Sequence, residues 1–215
     1  TLVDGCRVSA LCRAKNSCGV LARGAAAAGA RLRGCVVHDC GHAGVLLATG
    51  ARVTVVEGEV RDCVGCGVLV LSNCVLDAQG TRVSGCAEGA LAVVGRAAAS
   101  LAGCELSGNG GGAGTASVHA KGAGRLTMRE CTIRGARGMG VQLSDGAESN
   151  LSDCKLLGCA KAGVAAKGAG RLQISGCEIV DGGGVGVMLL GAPAAAQPGG
   201  PPPPQIIRNN LIRAN

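Results

Sequence analysis

Apolar residues recur along this chain in short alternating runs, not in helical arcs. In segments such as Leu126-Thr127-Met128 and Leu172-Gln173-Ile174 each apolar residue is followed by a polar one, the two-residue period of a strand with one buried face. The runs also return in phase. One position is held by Cys6, Cys35, Gly58, Thr81, Cys104, Cys131, Cys154 and Cys177, at intervals of 29, 23, 23, 23, 27, 23 and 23 residues. Two residues later stand Val8, Val37, Val60, Val83, Leu106, Ile133, Leu156 and Ile179, aliphatic every time. Three residues before it stand Val3, Leu32, Val55, Ala78, Leu101, Met128, Leu151 and Ile174. Further columns run Val20, Val45, Val68, Leu91, Val118, Val141, Val164, Val187 and, two residues on, from Ala22 to Leu189.

Each repeat therefore predicts two or three very short strands, and no single repeat can bury its own apolar side, so the repeats must stack. The expectation is an all-β parallel solenoid of about eight to nine coils with a period near 23 residues, a rod about 40 Å long at roughly 4.8 Å per coil. Coils one to eight fill residues 1–191 and a partial ninth fills 205–215, with Asn210 near the anchor phase. Between them, 192–204 holds all six prolines and predicts an extended loop, since proline removes a ladder hydrogen bond. Gly19, Gly44, Gly67, Gly140, Gly163 and Gly186 precede the Val column and predict corners of positive φ. The long intervals place insertions at Ala10 to Ser17, at Ala25 to Ala28 and at Gly108 to Thr115.

Composition narrows the chemistry. Phe, Tyr and Trp are absent, which removes ring platforms for sugars and for single-stranded nucleic acid. The net charge of +7 comes from basic residues scattered singly, against a dedicated nucleic-acid site. No apolar run is long enough to span a bilayer, and no leader follows Thr1. These ends read as a fragment of a longer protein.

The recurring L-x-x-x-x-C-x-I, the following G-V-x-L and the closing RNNLIRAN resemble right-handed parallel β-helix repeats of the pectin-lyase-like superfold. The resemblance covers nearly the whole chain and implies a right-handed β-helix. It is specific for architecture and nearly silent on activity. That superfold holds polysaccharide lyases, hydrolases and epimerases, and also non-catalytic β-helix domains that bind protein partners, such as those attached to F-box proteins.

A second cysteine column, Cys12, Cys40, Cys63, Cys86 and Cys159, has Asn109, Ala136 and Gly182 in its gaps. In-register neighbours would hold parallel Cβ vectors about 4.8 Å apart, whereas a disulfide wants about 3.5–4.5 Å and convergent vectors. Cys63 and Cys66 form a C-x-x-C, but no second one completes a zinc site. Both columns read as packing ladders of a compact apolar residue, reduced in an intracellular setting, with no metal or other cofactor.

No catalytic residue is assigned. The acidic residues are dispersed, and the outward column Arg7, Val36, Glu59, Arg82, Glu105, Thr132, Lys155, Glu178 reads as a cross-strand charge ladder. The DCGH of Asp39 to His42 is similar to the Gly-His element of polygalacturonases, whose Asp-Asp and Asn-Thr-Asp companions are missing here. The Thr-x-Thr array of an ice-binding face and the epimerase Asp-Pro-His motif are absent too. Asn150-Leu151-Ser152 fits a glycosylation sequon but falls in a predicted strand. The remaining candidates are outward. Leu21, Leu46 and Leu69 predict an apolar stripe, and His119, with Lys121, Gln142 and Lys167 nearby, is the small-ligand candidate. The function expected is a non-catalytic scaffold for a protein partner; a carbohydrate-active enzyme with a polysaccharide ligand is the alternative. Neither nucleic acid nor membrane is expected as a partner.

Overall fold

The computed structural model describes residues 1–9, 17–24, 27–111, 115–168, 170–191 and 205–213. They form a parallel β-solenoid of three sheets, with nine, nine and eight strands. The first coil supplies one strand to each: β1 (Leu2–Asp4), β2 (Arg7–Ser9) and β3 (Cys18–Arg23). Successive coils repeat this order up to β24 (Val185–Leu190) in the third sheet. Gln205–Arg208 and Leu211–Arg213 then pair onto the ends of the first and second sheets. The proline-rich 192–204, most of the insertion at 10–17, and residues 25–26 and 112–114 lie outside the described residues. Among those described, no helix is long and apolar enough to cross a membrane.

The register is the one the columns predict. Val8, Val37 and Val60 pair across the second sheet, as Leu101, Met128 and Leu151 do across the first. Their inward side chains merge into one core running the length of the stack, with Leu47, Leu106, Ile133, Leu143 and Ile174 fully buried. The anchor column is tied by backbone bonds from one coil to the next, such as Lys155 N–H to the Cys131 carbonyl at 2.9 Å and Leu211 N–H to the Cys177 carbonyl at 2.9 Å. Of the predicted charge ladder, Arg82–Glu105 and Lys155–Glu178 pair, each at 3.8 Å, while Glu59 turns to Arg61 of its own strand at 3.0 Å. The pairs are partly to largely exposed, so water screens them and they add little to stability.

The corners differ from expectation in two ways. None of the six glycines before the Val column has a positive φ. Five of them, all but Gly186, are needed for space: a Cβ on Gly44 would fall on Val60 and 2.7 Å from the Gly67 carbonyl oxygen, and one on Gly140 would lie 2.6 Å from the Gly163 carbonyl. The left-handed conformation sits at other turns instead, among them the position just before the anchor column. There it is adopted even by Glu57, Glu130 and Asp153, at φ 52, 53 and 53, and by Asn209 at φ 55.

The cysteines are also more than compact hydrophobes. At the anchor column, Cys35 Sγ donates to the Val3 carbonyl of the preceding coil at 3.4 Å, and Cys104 Sγ to that of Ala78 at 3.5 Å. Thr81 Oγ1 makes the equivalent bond to Val55 at 3.4 Å. Asn210 goes further: its Nδ2 donates to Ile174 at 3.1 Å and its Oδ1 accepts from the Cys177 N–H at 2.8 Å. Asn109 repeats that pair of bonds at the other corner, to Val83 at 2.8 Å and Cys86 at 3.0 Å. What these residues share is a short donor that adds a bond to the carbonyl of a strand residue in a neighbouring coil, using the second lone pair of that oxygen.

Candidate functional site

The third sheet carries the outward candidates. Its strands alternate an inward aliphatic with an outward residue, so the register sets Leu21 beside Leu46, Leu46 beside Leu69, and Leu69 beside Ala92. The same column continues through His119, Gln142, Ala165 and Met188. A parallel outward column sets Val94 beside Lys121, then Ser144 and Lys167. All seven candidate residues therefore lie on one face, leucines toward its first coils and the polar group toward its later ones. Leu21 is 57 % exposed, while Leu46 and Leu69 are half-buried and joined by half-buried Leu71 and Val94. The stripe is thus a low apolar pad with one protruding leucine, flatter than three exposed leucines would make it.

In the polar half, His119 Nε2 lies 3.3 Å from Ser144 Oγ. Burial, then the neighbouring Lys121 ammonium, holds its imidazole below the ordinary value of 6.5. Lys121 Nζ reaches Asp145 at 3.7 Å, and Lys167 is exposed two coils beyond Lys121. These groups can hold an anion or carboxylate at the surface; the Ser144 hydroxyl lies beside the His119 imidazole, and among the described residues no side chain is bonded to His119 Nδ1.

A concavity not foreseen in the sequence lies on the outer face of the first sheet. It has a volume of about 230 Å³ and is lined by Arg125, Thr127, Glu148, Asn150, Arg171 and Gln173. Arg125 Nε sits 3.4 Å from Glu148 Oε2, so the one carboxylate of the cleft is partnered across adjacent strands. A signal was present: the outward column Asp77, Ser100, Thr127, Asn150, Gln173 is polar without interruption. Asn150 of the sequon is exposed, within the strand Glu148–Ser152.

Among the described residues every cysteine is free, and all but Cys6 and Cys18 are buried. Desolvation pushes Cys66 up to about 12 and Cys159 up to about 11, so these two stay protonated and poorly nucleophilic. Within the ladders, hydrogen bonds from the neighbouring thiols act the other way on Cys86, Cys131 and Cys177 and pull them down, Cys177 to about 7. Among the described residues no group of three or more His, Cys, Asp or Glu is placed to hold a metal ion. Asp39 of the DCGH segment occupies a left-handed corner with its carboxylate 2.7 Å from His38 Nδ1.

Residues 89–215 match the family model described as right handed beta helix region. No curated protein matches the chain. Among solved structures, the Azotobacter vinelandii mannuronan C-5 epimerase AlgE4 A-module aligns over 99% of this chain and 91% of its own, at 12% identity and a TM-score of 0.17, too weak a likeness to carry an argument.

Proposed function

Because the chain belongs to the right-handed β-helix family, we propose that it serves as a non-catalytic repeat module, a scaffold for protein interaction or substrate recognition. The observation that carries this reading is the apolar pad of Leu21, Leu46, Leu69, Leu71 and Val94 on one sheet face. Contiguous apolar surface on a rigid face is costly to leave in water and is the usual mark of a docking site. The thiol columns belong to the interior and support the rod. In a lysate pull-down, Leu46→Asp with Leu69→Asp is expected to lower partner recovery at least tenfold while circular dichroism stays that of the parent. Unchanged recovery would refute the pad as the interface.

A carbohydrate-active enzyme is the second reading, favoured by the first-sheet cleft alone. Its lining offers hydrogen-bonding groups from Thr127, Asn150 and Gln173, but a single carboxylate, Glu148. Acid–base glycoside chemistry commonly uses two. Turnover of a uronic-acid polymer that is lost in Glu148→Gln would establish this reading over the first.

A further inference from the structure

We infer that the third-sheet face takes an acidic amphipathic α-helix of a partner protein, laid along the stack with its apolar stripe on the leucine pad and its carboxylates on Lys121 and Lys167. The inference rests on the docking reading above and adds the partner's chemistry.

Charge is the first argument. None of the outward positions in the two columns of this sheet, from Leu21 to Leu190, is acidic, and the cationic ones are Arg23, Lys121 and Lys167. The pad is thus bounded by Arg23 at one end and by Lys121 and Lys167 at the other. A bound segment that is apolar at its centre meets cations at both margins, which selects a partner with carboxylates flanking its apolar stripe. Asp145, in the turn, reaches only Lys121, and at 3.7 Å between exposed groups. That contact is readily exchanged for a partner's carboxylate.

Spacing is the second. Coils stack at about 4.8 Å, and an α-helix advances about 5.4 Å per turn. A helix running along the stack therefore presents close to one side chain of a given face to each coil. From Leu21 to Lys167 the face crosses six coil intervals, roughly 29 Å, the length of about 19 helical residues. A strand added to a sheet edge would run across the stack and meet only one coil.

Symmetry removes a second copy of the chain. A twofold related pair meeting through this face would set Lys121 and Lys167 either against themselves or onto the leucines of the other copy, and both arrangements desolvate the Lys167 ammonium with no carboxylate beside it.

The test uses two synthetic 20-residue helical peptides with leucine at i, i+3, i+4 and i+7 spacing, one with glutamate flanking the stripe and the other with lysine. Fluorescence anisotropy against the folded chain is expected to show binding of the glutamate peptide, weakened by salt, and none of the lysine peptide. Lys121→Glu with Lys167→Glu is expected to weaken the glutamate peptide about tenfold and to create binding of the lysine peptide. The inference is overturned if charge reversal leaves both affinities unchanged, if the glutamate peptide fails to bind, or if sedimentation shows a dimer that Leu46→Asp with Leu69→Asp dissolves. Should the leucine substitutions abolish pull-down while charge reversal is silent, the docking pad stands and the acidic partner falls. Should neither matter, both fall.

Discussion

Gly67→Ala is expected to destabilise the fold by about 3 kcal/mol or more, beyond the usual range for one added methyl in a packed core. At this chain length that corresponds to a fall in Tm of roughly 6–12 °C. The new Cβ would fall on the Val83 side chain, 2.8 Å from the Ala90 carbonyl oxygen and 3.2 Å from Cys86 Sγ. None of the three can retreat cheaply. Val83 and Cys86 are buried in the core, and Ala90 is backbone of a central strand of the third sheet. Because φ at Gly67 is not left-handed, the loss would come from overlap alone, so Gly67→Ser should cost at least as much. A control at exposed Gly5, which has φ +60 and open space around its Cβ, separates the two causes: there alanine should cost only the backbone strain, about 1–2 kcal/mol. Thermal unfolding by circular dichroism reads both. Equal losses at the two sites would mean that the coils are not packed this closely.

Asn109→Ala is expected to cost about 1–3 kcal/mol, because it leaves the buried Cys86 N–H without its side-chain acceptor and removes a second bond to the Val83 carbonyl of the paired strand. The Cys86 N–H and the Val83 carbonyl lose their bonds to a side chain that is 0 % exposed. Asn150→Ala, on the exposed face of the first sheet, serves as the reference and should stay within about 0.5 kcal/mol of the parent. Urea unfolding gives both values from the shift in midpoint. A loss below about 1 kcal/mol at Asn109 would contradict the reading of the corner column as a set of backbone donors.

The strand register was legible because it rests on a property every coil must satisfy: Val37, Val60, Val83 and their successors face one continuous core, and a slip of one residue would turn them to solvent. The chemistry of the corners was harder to read. Thr81 and Asn109 stand in the cysteine columns, and the property they share with cysteine is a short donor, not apolarity; counting cysteines hid that. The glycines of the Val column were visible as a pattern, but φ and close approach leave the same residue in the sequence. Only the neighbouring coil, with Val60 and the Gly67 carbonyl against Gly44, tells them apart. The left-handed corners at Glu57, Glu130 and Asp153 carry no glycine themselves, although Gly5, Gly34, Gly80, Gly103 and Gly176 hold the same position in other coils.

Of the candidate site, the sequence placed Leu21, Leu46, Leu69, His119, Lys121, Gln142 and Lys167 on one face, since strand alternation fixes which way each points. It could not give their exposure, which depends on neighbours such as Leu71 and Val94 contributed by the turns and adjoining columns. The first-sheet cleft was hidden for a different reason. It is made by where the long side chains of Arg125, Glu148 and Arg171 come to rest, and alternation does not determine that.

The most direct test of the third-sheet face as the working surface is hydroxyl-radical footprinting of the chain alone and with a partner recovered in the pull-down. Binding is predicted to shield Leu21, Leu46 and Leu69 from oxidation while Ile206, beside the first-sheet cleft, keeps its free rate. Unchanged labelling of the three leucines, with shielding at Ile206 instead, would contradict the account.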